Sequence, residues 1–176
     1  MTYYSAKDLA RSFRTVRKNT IQIANDIPED QYGFRPAPHT RTVGETLAHI
    51  AGLPRWQQRA HGTDRTPELT GEAFGKYMQD TAAFEKSLKT KTDIIRALES
   101  EGAAFATWLE TLPEDTLGET VAFAAGTVPP TKSRFEMLMG VKEHEMHHRA
   151  QLMLVERQLG LVPHLTRERE ARMARR

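Results

Sequence analysis

Residues 141–160 of the 176-residue chain read VKEHEMHHRAQLMLVERQLG. An α-helix turns by about 100° per residue, and at that period the apolar side chains of this stretch fall on one stripe. When Val141 marks the middle of the stripe, His148 lies within about 40° of it and His144 lies at about 60°, one turn earlier. His147 lies at about 120°, off the stripe. The pattern predicts a long helix that presents His144 and His148 to the interior of a helical protein.

The rest of the chain repeats the three- and four-residue spacing of apolar side chains, interrupted by prolines and glycines. The expected helices cover residues 5–26, 42–60, 71–88, 92–112 and 131–159. The helix over residues 71–88 is the most weakly patterned, and Pro54 is expected to kink or break the one that contains it. A short extended piece is expected at Thr120–Phe123. The fold class is therefore all-α, a four-helix bundle with at least one long crossover connection.

Composition and charge describe one domain without a phosphate-binding face. The chain has no cysteine, which excludes disulfides, thiolate ligands and a cysteine nucleophile. The net charge is +2, and residues 167–176 hold five arginines and two glutamates, a local +3 that leaves the rest near −1. We expect a domain over residues 1–163 and a solvated basic tail over residues 164–176. This balance argues against nucleic-acid binding by the domain itself.

Targeting signals are not recognisable in the sequence. No N-terminal stretch combines a basic region, an apolar run and a small-residue cleavage site. No apolar run approaches the length of about 18 residues that a membrane span needs. The expected location is the cytoplasm.

Two histidines one turn apart on a buried helix face can share a metal ion. As core residues, His144 and His148 would each need a separate hydrogen-bond partner, whereas one cation satisfies both. His49 is the candidate third ligand, because it lies in mid-helix beside Ala48 and Gly52, whose small side chains let a second helix approach closely. Three neutral imidazoles leave a coordination position open, which is typical of reactive rather than structural sites.

The remaining histidines and two alternative motifs are less informative. His39, His61 and His164 are expected to be surface or capping residues. Residues 144–148 also match H-E-x-x-H, in which Glu145 would be the base of a zinc protease, but no sheet is expected to line a peptide cleft. The Glu-x-x-His element of di-iron bundles occurs once, so a two-metal site lacks half of its ligands.

These motifs resemble those of the DinB / YfiT-like superfamily of small metal-binding four-helix bundles. The resemblance is carried by TVGETLAHI at residues 42–50 and HHRAQL at residues 147–152, and it extends from the first helix through residue 160. It implies one divalent ion, often nickel, zinc or iron, on three histidines, here His49, His144 and His148. It also implies a homodimer. The glycine that is usual after the arginine is Ala150 here.

The resemblance leaves several functions open. Relatives include thiol S-transferases that use bacillithiol or mycothiol, a maleylpyruvate isomerase and proteins described as hydrolases. The main hypothesis is a metal-dependent enzyme that acts on a small molecule by thiol transfer or hydrolysis. The alternatives are a non-catalytic metal-binding bundle associated with stress or DNA damage, and a nucleic-acid binder that uses its basic tail.

No catalytic acid or base is assigned from the sequence. Glu45 fits an N-terminal capping role better than proton transfer. Trp56 fits core packing better than a place at the site. Arg149 could face an anionic substrate or a neighbouring subunit.

Overall fold

The structure, a computed structural model, describes residues 4–175. Its helices are α1 (Ala6–Asp26), α2 (Val43–Gln58), α3 (Gly71–Ser87), α4 (Lys91–Thr111), α5 (Glu114–Gly118), α6 (Arg134–Gln158) and α7 (His164–Ala174). A 3-10 turn (Glu29–Gln31) follows α1, and a π-helical turn (Arg59–Thr63) continues α2. Its strands are β1 (Glu68–Leu69), β2 (Thr120–Phe123) and β3 (Thr131–Ser133).

Helices α1, α2, α4 and α6 form a four-helix bundle. Helices α1 and α2 each pack against both α4 and α6, while α3 lies on the outside of α2. Their apolar stripes meet in two buried clusters, one around Phe13 and Phe105 and one around Ile50, Leu98 and Leu152. The predicted all-α four-helix bundle is confirmed.

The bundle helices begin at complete capping boxes, in which the cap hydroxyl accepts from the third helical N–H and a carboxylate accepts from the cap N–H. The pairs are Ser5 with Asp8, Thr42 with Glu45, Thr90 with Asp93, and Ser133 with Glu136. Because Ser133 caps α6, that helix starts at Arg134, later than the expected residue 131. Pro54 does not end α2, which continues to Gln58.

A three-stranded sheet in the order β1-β2-β3 packs beside the bundle. β2 runs parallel to β1 and antiparallel to β3. The expected extended piece at Thr120–Phe123 is β2. The two- and three-residue partners β1 and β3 were not predicted, because strands that short show no period in the sequence.

His61 is buried, which corrects its expected place at the surface. Its Nε2 lies 2.9 Å from Gln57 Oε1, and Arg134 Nη1 donates to its Nδ1 over 2.9 Å. Arg134 Nε also donates to Glu119 Oε2 over 2.8 Å, which ties α6 to the residue before β2. We call these four residues the His61 network. The π-helical turn after α2 carries His61 inward, a backbone feature that the apolar spacing does not show.

A buried ion pair ties the four bundle helices together. Arg17 on α1 donates to Glu145 on α6 through Nε over 3.0 Å and Nη2 over 2.9 Å, and both side chains are buried. The same guanidinium donates to the carbonyl oxygens of Leu98 on α4 and Ile50 on α2. Gly102 makes room for it, because a Cβ there would lie 2.8 Å from Arg17 Cγ.

The C-terminal segment beyond residue 163 forms α7, with most of its side chains exposed. His164 at its start is buried, contrary to expectation, and its Nε2 lies 3.4 Å from Asn19 Oδ1. Glu156 of α6 is fully buried, and its carboxylate has no hydrogen-bond partner within residues 4–175. Burial raises the pKa of Glu156 to about 7, with a contribution from Asp26.

None of the helices among the described residues is long and apolar enough to cross a membrane.

Candidate metal site

The structure brings the three predicted histidines together between α2 and α6. His49 Nε2 lies 2.9 Å from His144 Nε2, and His148 Nε2 lies 3.0 Å from the same atom. One ring nitrogen from each residue falls within 4.8 Å of the other two. We call His49, His144 and His148 the three-histidine cluster. The one-turn spacing in α6 supplies two of its members, and the packing of α2 against α6 supplies the third.

The outer nitrogens of two of these rings are held by other side chains. His49 Nδ1 lies 2.9 Å from Glu85 Oε1 on α3. His148 Nδ1 lies 2.8 Å from Gln151 Oε1, one turn along α6. Each oxygen accepts a hydrogen bond when Nδ1 carries the ring proton, and this tautomer leaves Nε2 with a lone pair. Carboxylates and amides that orient histidine ligands in this way are common around metal ions.

The donor set of the cluster fits a cation. With Nδ1 protonated on His49 and His148, both of their Nε2 atoms are acceptors that face the Nε2 of His144. One N–H on His144 Nε2 serves one of these acceptors fully and leaves the other without a donor. A cation bound by the three lone pairs satisfies all three rings at once. A ligand set of three imidazoles without thiolates suits zinc, nickel or iron.

The electrostatic surroundings favour neutral imidazoles. Burial, followed by the charges of the neighbouring histidines and Arg41, lowers the pKa of His144 to about 4. Burial also lowers the pKa of His148. Both rings are therefore unprotonated at neutral pH, the form in which imidazole binds a metal.

Glu85 and Gln151 were not identified from the sequence as parts of the site. Glu85 reaches His49 because α3 passes close to α2 at Gly52, where a Cβ would lie 3.2 Å from Thr81 Cγ2. Gly52 was expected to let a second helix approach closely. The apolar spacing of α3 is weak, however, and gave no reason to select Glu85. Gln151 could have been found from its position three residues after His148.

Other candidates from the sequence lie elsewhere. The carboxylate of Glu145 is paired with Arg17 in the core, so it is not placed as the base of a zinc protease. Glu45 accepts from the Thr42 N–H over 2.7 Å and caps α2, as expected. The ring of Trp56 packs against Phe74, at 5.7 Å between centroids.

Two roles were left open for Arg149. Within residues 4–175, the structure shows no hydrogen bond between Arg149 and the three-histidine cluster. Its Nε is buried and has no hydrogen-bond partner within residues 4–175. Its charge contributes to lowering the pKa of His164, for which burial is the main cause.

Comparison with known families agrees with this arrangement. The profile of the DinB superfamily matches residues 12–152, which include all three histidines. The chain belongs to the DinB superfamily. A search of curated proteins gave no significant match.

Several solved structures share the fold. A DinB-like protein of Bacillus subtilis is 22% identical with a TM-score of 0.65, and the alignment covers 86% of this chain and 91% of that one. YfiT of Bacillus subtilis, described as a probable metal-dependent hydrolase with an unusual four-helix bundle topology, is 12% identical with a TM-score of 0.66, and 92% and 91% of the two chains align. A mycothiol-dependent maleylpyruvate isomerase is 17% identical with a TM-score of 0.62, over 86% of this chain and 63% of that one. At these identities the likeness establishes the fold.

Proposed function

We propose that this DinB protein binds one divalent metal ion through His49, His144 and His148 and uses it to transform a small molecule. The observation that carries the proposal is the convergence of three Nε2 atoms, two of which are fixed as acceptors by Glu85 and Gln151. A divalent ion held by three imidazoles keeps a position for a further ligand and lowers the pKa of a thiol or water bound there. The reaction we propose is transfer of a small thiol or hydrolysis of a small substrate.

The protein's own residues perform three tasks in this proposal. The rings of His144 and His148, whose pKa values are lowered by burial, offer lone pairs without first losing a proton. Glu85 holds the ring of His49 in one tautomer and adds negative charge behind it, which makes that imidazole a stronger donor. The Arg17–Glu145 pair fixes α2 against α6 through residues adjacent to His49 and His144, so the two helices hold a constant separation at the cluster.

Two relatives suggest the reaction class. YfiT is described as a probable metal-dependent hydrolase, and the maleylpyruvate isomerase depends on the thiol mycothiol. Both descriptions agree with a site that activates a nucleophile, and a choice between water and thiol requires assays. A non-catalytic metal-binding bundle is the second candidate, and stable metal without turnover of thiols or esters would favour it.

Metal content of the purified, untagged protein tests the proposal. We expect about one ion per chain in the wild type and less than a tenth of that in His49→Ala and His148→Ala. His147→Ala is the matched control, because His147 adjoins His148 but lies outside the cluster, and it should keep the metal. Wild-type protein that holds no ion and takes up neither nickel nor zinc would refute the proposal.

We further propose that the protein acts in the cytoplasm as a homodimer, as the family resemblance implies. Light scattering should give about twice the chain mass of 20.0 kDa. A mass near that of one chain would refute the dimer.

A further inference from the structure

We propose that the cavity beside the three-histidine cluster binds small molecules that carry a carboxylate, and that Arg41 is the residue that pairs with it. The inference rests on the proposed function, since it names the substrate class of the same site. It concerns a different group of residues from the metal ligands, so the two proposals can fail separately.

A cavity of about 1490 Å³ adjoins the cluster. The loop before α2, the end of α3, the start of α4 and the C-terminal half of α6 form its walls. It reaches the cluster at His148 and at Glu85, the partner of His49. A molecule in this cavity can therefore contact the cluster at His148, and the volume is ample for a metabolite-sized ligand.

Basic side chains outnumber acidic ones around the cavity. Five arginines and lysines line it, namely Arg35, Arg41, Lys86, Lys89 and Lys91. Three carboxylates line it, namely Glu29, Glu45 and Glu85. The excess of positive charge favours an anionic ligand, and a concave wall concentrates that field.

Several of these charges are already used by the protein. Arg35 Nη2 donates to Glu45 over 3.2 Å, and Lys91 Nζ donates to the carbonyl oxygens of Asn25 and Ile27. Glu85 is bound to His49. Arg41, by contrast, forms no ion pair or side-chain hydrogen bond with any other residue in the part of the chain that the structure describes.

Arg41 shares the cavity with the cluster. The cavity is lined by Arg41 together with His148 and with Glu85, the partner of His49. One ligand in the cavity can therefore pair with Arg41 while another part of it lies against His148. The start of α2 cannot replace Arg41, because the N–H groups of Val43, Gly44 and Glu45 donate to Phe34, Tyr32 and Thr42 respectively.

A carboxylate suits this position better than a neutral polar group. Arginine presents two parallel N–H donors that match the two oxygens of a carboxylate. Lys86 and Lys89, which like Arg41 are exposed and line the cavity, carry point charges that add attraction without fixing an orientation. We infer that the substrate has its reactive group at one end and a carboxylate at the other.

Titration of the metal-free protein with succinate, followed by NMR at the Arg41 side-chain N–H, tests the anion site. Succinamide, which has the same length and no charge, is the comparison ligand. We expect succinate to bind at least about tenfold more tightly than succinamide, and the preference to weaken as salt is raised. In Arg41→Gln, the ratio of succinate affinity to succinamide affinity should fall to near one.

Arg35→Gln is the matched control, because Arg35 lies in the same loop and is occupied by Glu45. It should keep the succinate preference. A preference that survives in Arg41→Gln, or an Arg41 resonance that does not respond to succinate, would overturn the proposal.

The same titration with zinc-loaded protein links the anion site to the cluster. Succinate should bind more tightly when zinc is present. The substitution Arg41→Gln should weaken succinate binding by the same factor in the zinc-loaded protein as in the metal-free protein. Equal affinity with and without zinc would overturn the assignment of this cavity as the substrate site. A protein that binds succinate at Arg41 but takes up no metal would refute the proposed function and leave the anion site standing.

Discussion

The His61 network and the three-histidine cluster differ in how their ring nitrogens are satisfied. In the His61 network, Gln57 holds one nitrogen and Arg134 the other, so the ring is closed by protein atoms. In the three-histidine cluster, Glu85 and Gln151 hold the outer nitrogens of His49 and His148. Among residues 4–175, their inner nitrogens meet only the Nε2 of His144.

This difference separates a structural histidine from a candidate ligand. Burial alone does not do so, because His61 is more deeply buried than His148, with 1% against 7% of its surface exposed. The deciding feature is whether the second nitrogen has a donor or an acceptor of its own. The following experiments test the contrast, from the largest expected effect to the smallest.

Added metal should stabilise the protein through the cluster and not through the His61 network. At a free zinc or nickel concentration about 1,000 times the dissociation constant, the free energy of unfolding should rise by about 4 kcal/mol. Denaturant unfolding with and without metal measures the change. His61→Asn should keep the full increase, and His148→Ala should lose it.

A metal effect that survives in His148→Ala would mean that the ion binds elsewhere. An increase that disappears in folded His61→Asn would mean that the two groups are not independent.

Acidification should destabilise the metal-free protein through His61. Burial, followed by the charge of Arg134, lowers the pKa of His61 to about 4, whereas an unfolded histidine titrates near 6.5. Below pH 6.5 this histidine binds a proton in the unfolded chain but not in the folded protein. The free energy of unfolding therefore falls as the pH drops towards 4. The loss from this residue is at most about 3 kcal/mol.

The measurement compares the slope of unfolding free energy against pH in the wild type and in His61→Asn. Glu156 opposes the effect, because its raised pKa of about 7 gives stability that is full below pH 4.5 and lost as the pH rises towards 7. Both proteins should therefore carry Glu156→Gln. Equal slopes in the proteins with and without His61→Asn, both carrying Glu156→Gln, would contradict the role assigned to His61.

Removal of the charge behind His49 should weaken metal binding without unfolding the protein. Glu85→Gln keeps a hydrogen-bond acceptor but loses the carboxylate charge, and we expect about a 10- to 100-fold loss of metal affinity. Competition with a chromophoric chelator measures it. Asp80→Asn is the control, because Asp80 lies on the same helix and pairs with Arg59, away from the cluster. Equal affinities in the two variants would show that Glu85 does not act on the metal.

The sequence predicted the residues of the cluster because α6 places His144 and His148 one turn apart on its apolar side. It also predicted the start of α2 from Thr42 and Glu45, whose spacing defines a capping box. It misplaced His61, since a π-helical turn shifts the side chains that follow it and leaves no trace in the apolar period.

Long-range partners were the main features that sequence spacing could not supply. Arg17 and Glu145 are 128 positions apart, and Glu85 is 36 positions from His49. Both pairings depend on space that a glycine leaves: Gly102 on α4 makes room for the side chain of Arg17, and Gly52 on α2 lets α3 come close. A glycine within a helical pattern gives little information until the neighbouring helix is known.

The smallest effect should come from Gln151, the neutral counterpart of Glu85. Gln151→Leu removes the acceptor for His148 Nδ1 but leaves the ring packed against its neighbours, so we expect a loss of metal affinity of about tenfold or less. The same chelator competition measures it, with Gln158→Leu as the control, because Gln158 also lines the cavity but lies further along α6 from the cluster. A loss larger than that of Glu85→Gln would contradict the view that charge behind the imidazole matters more than its hydrogen bond. A smaller loss of metal affinity in Gln151→Leu than in Glu85→Gln would show that Gln151 and Glu85, which are alike in geometry, contribute differently to metal binding.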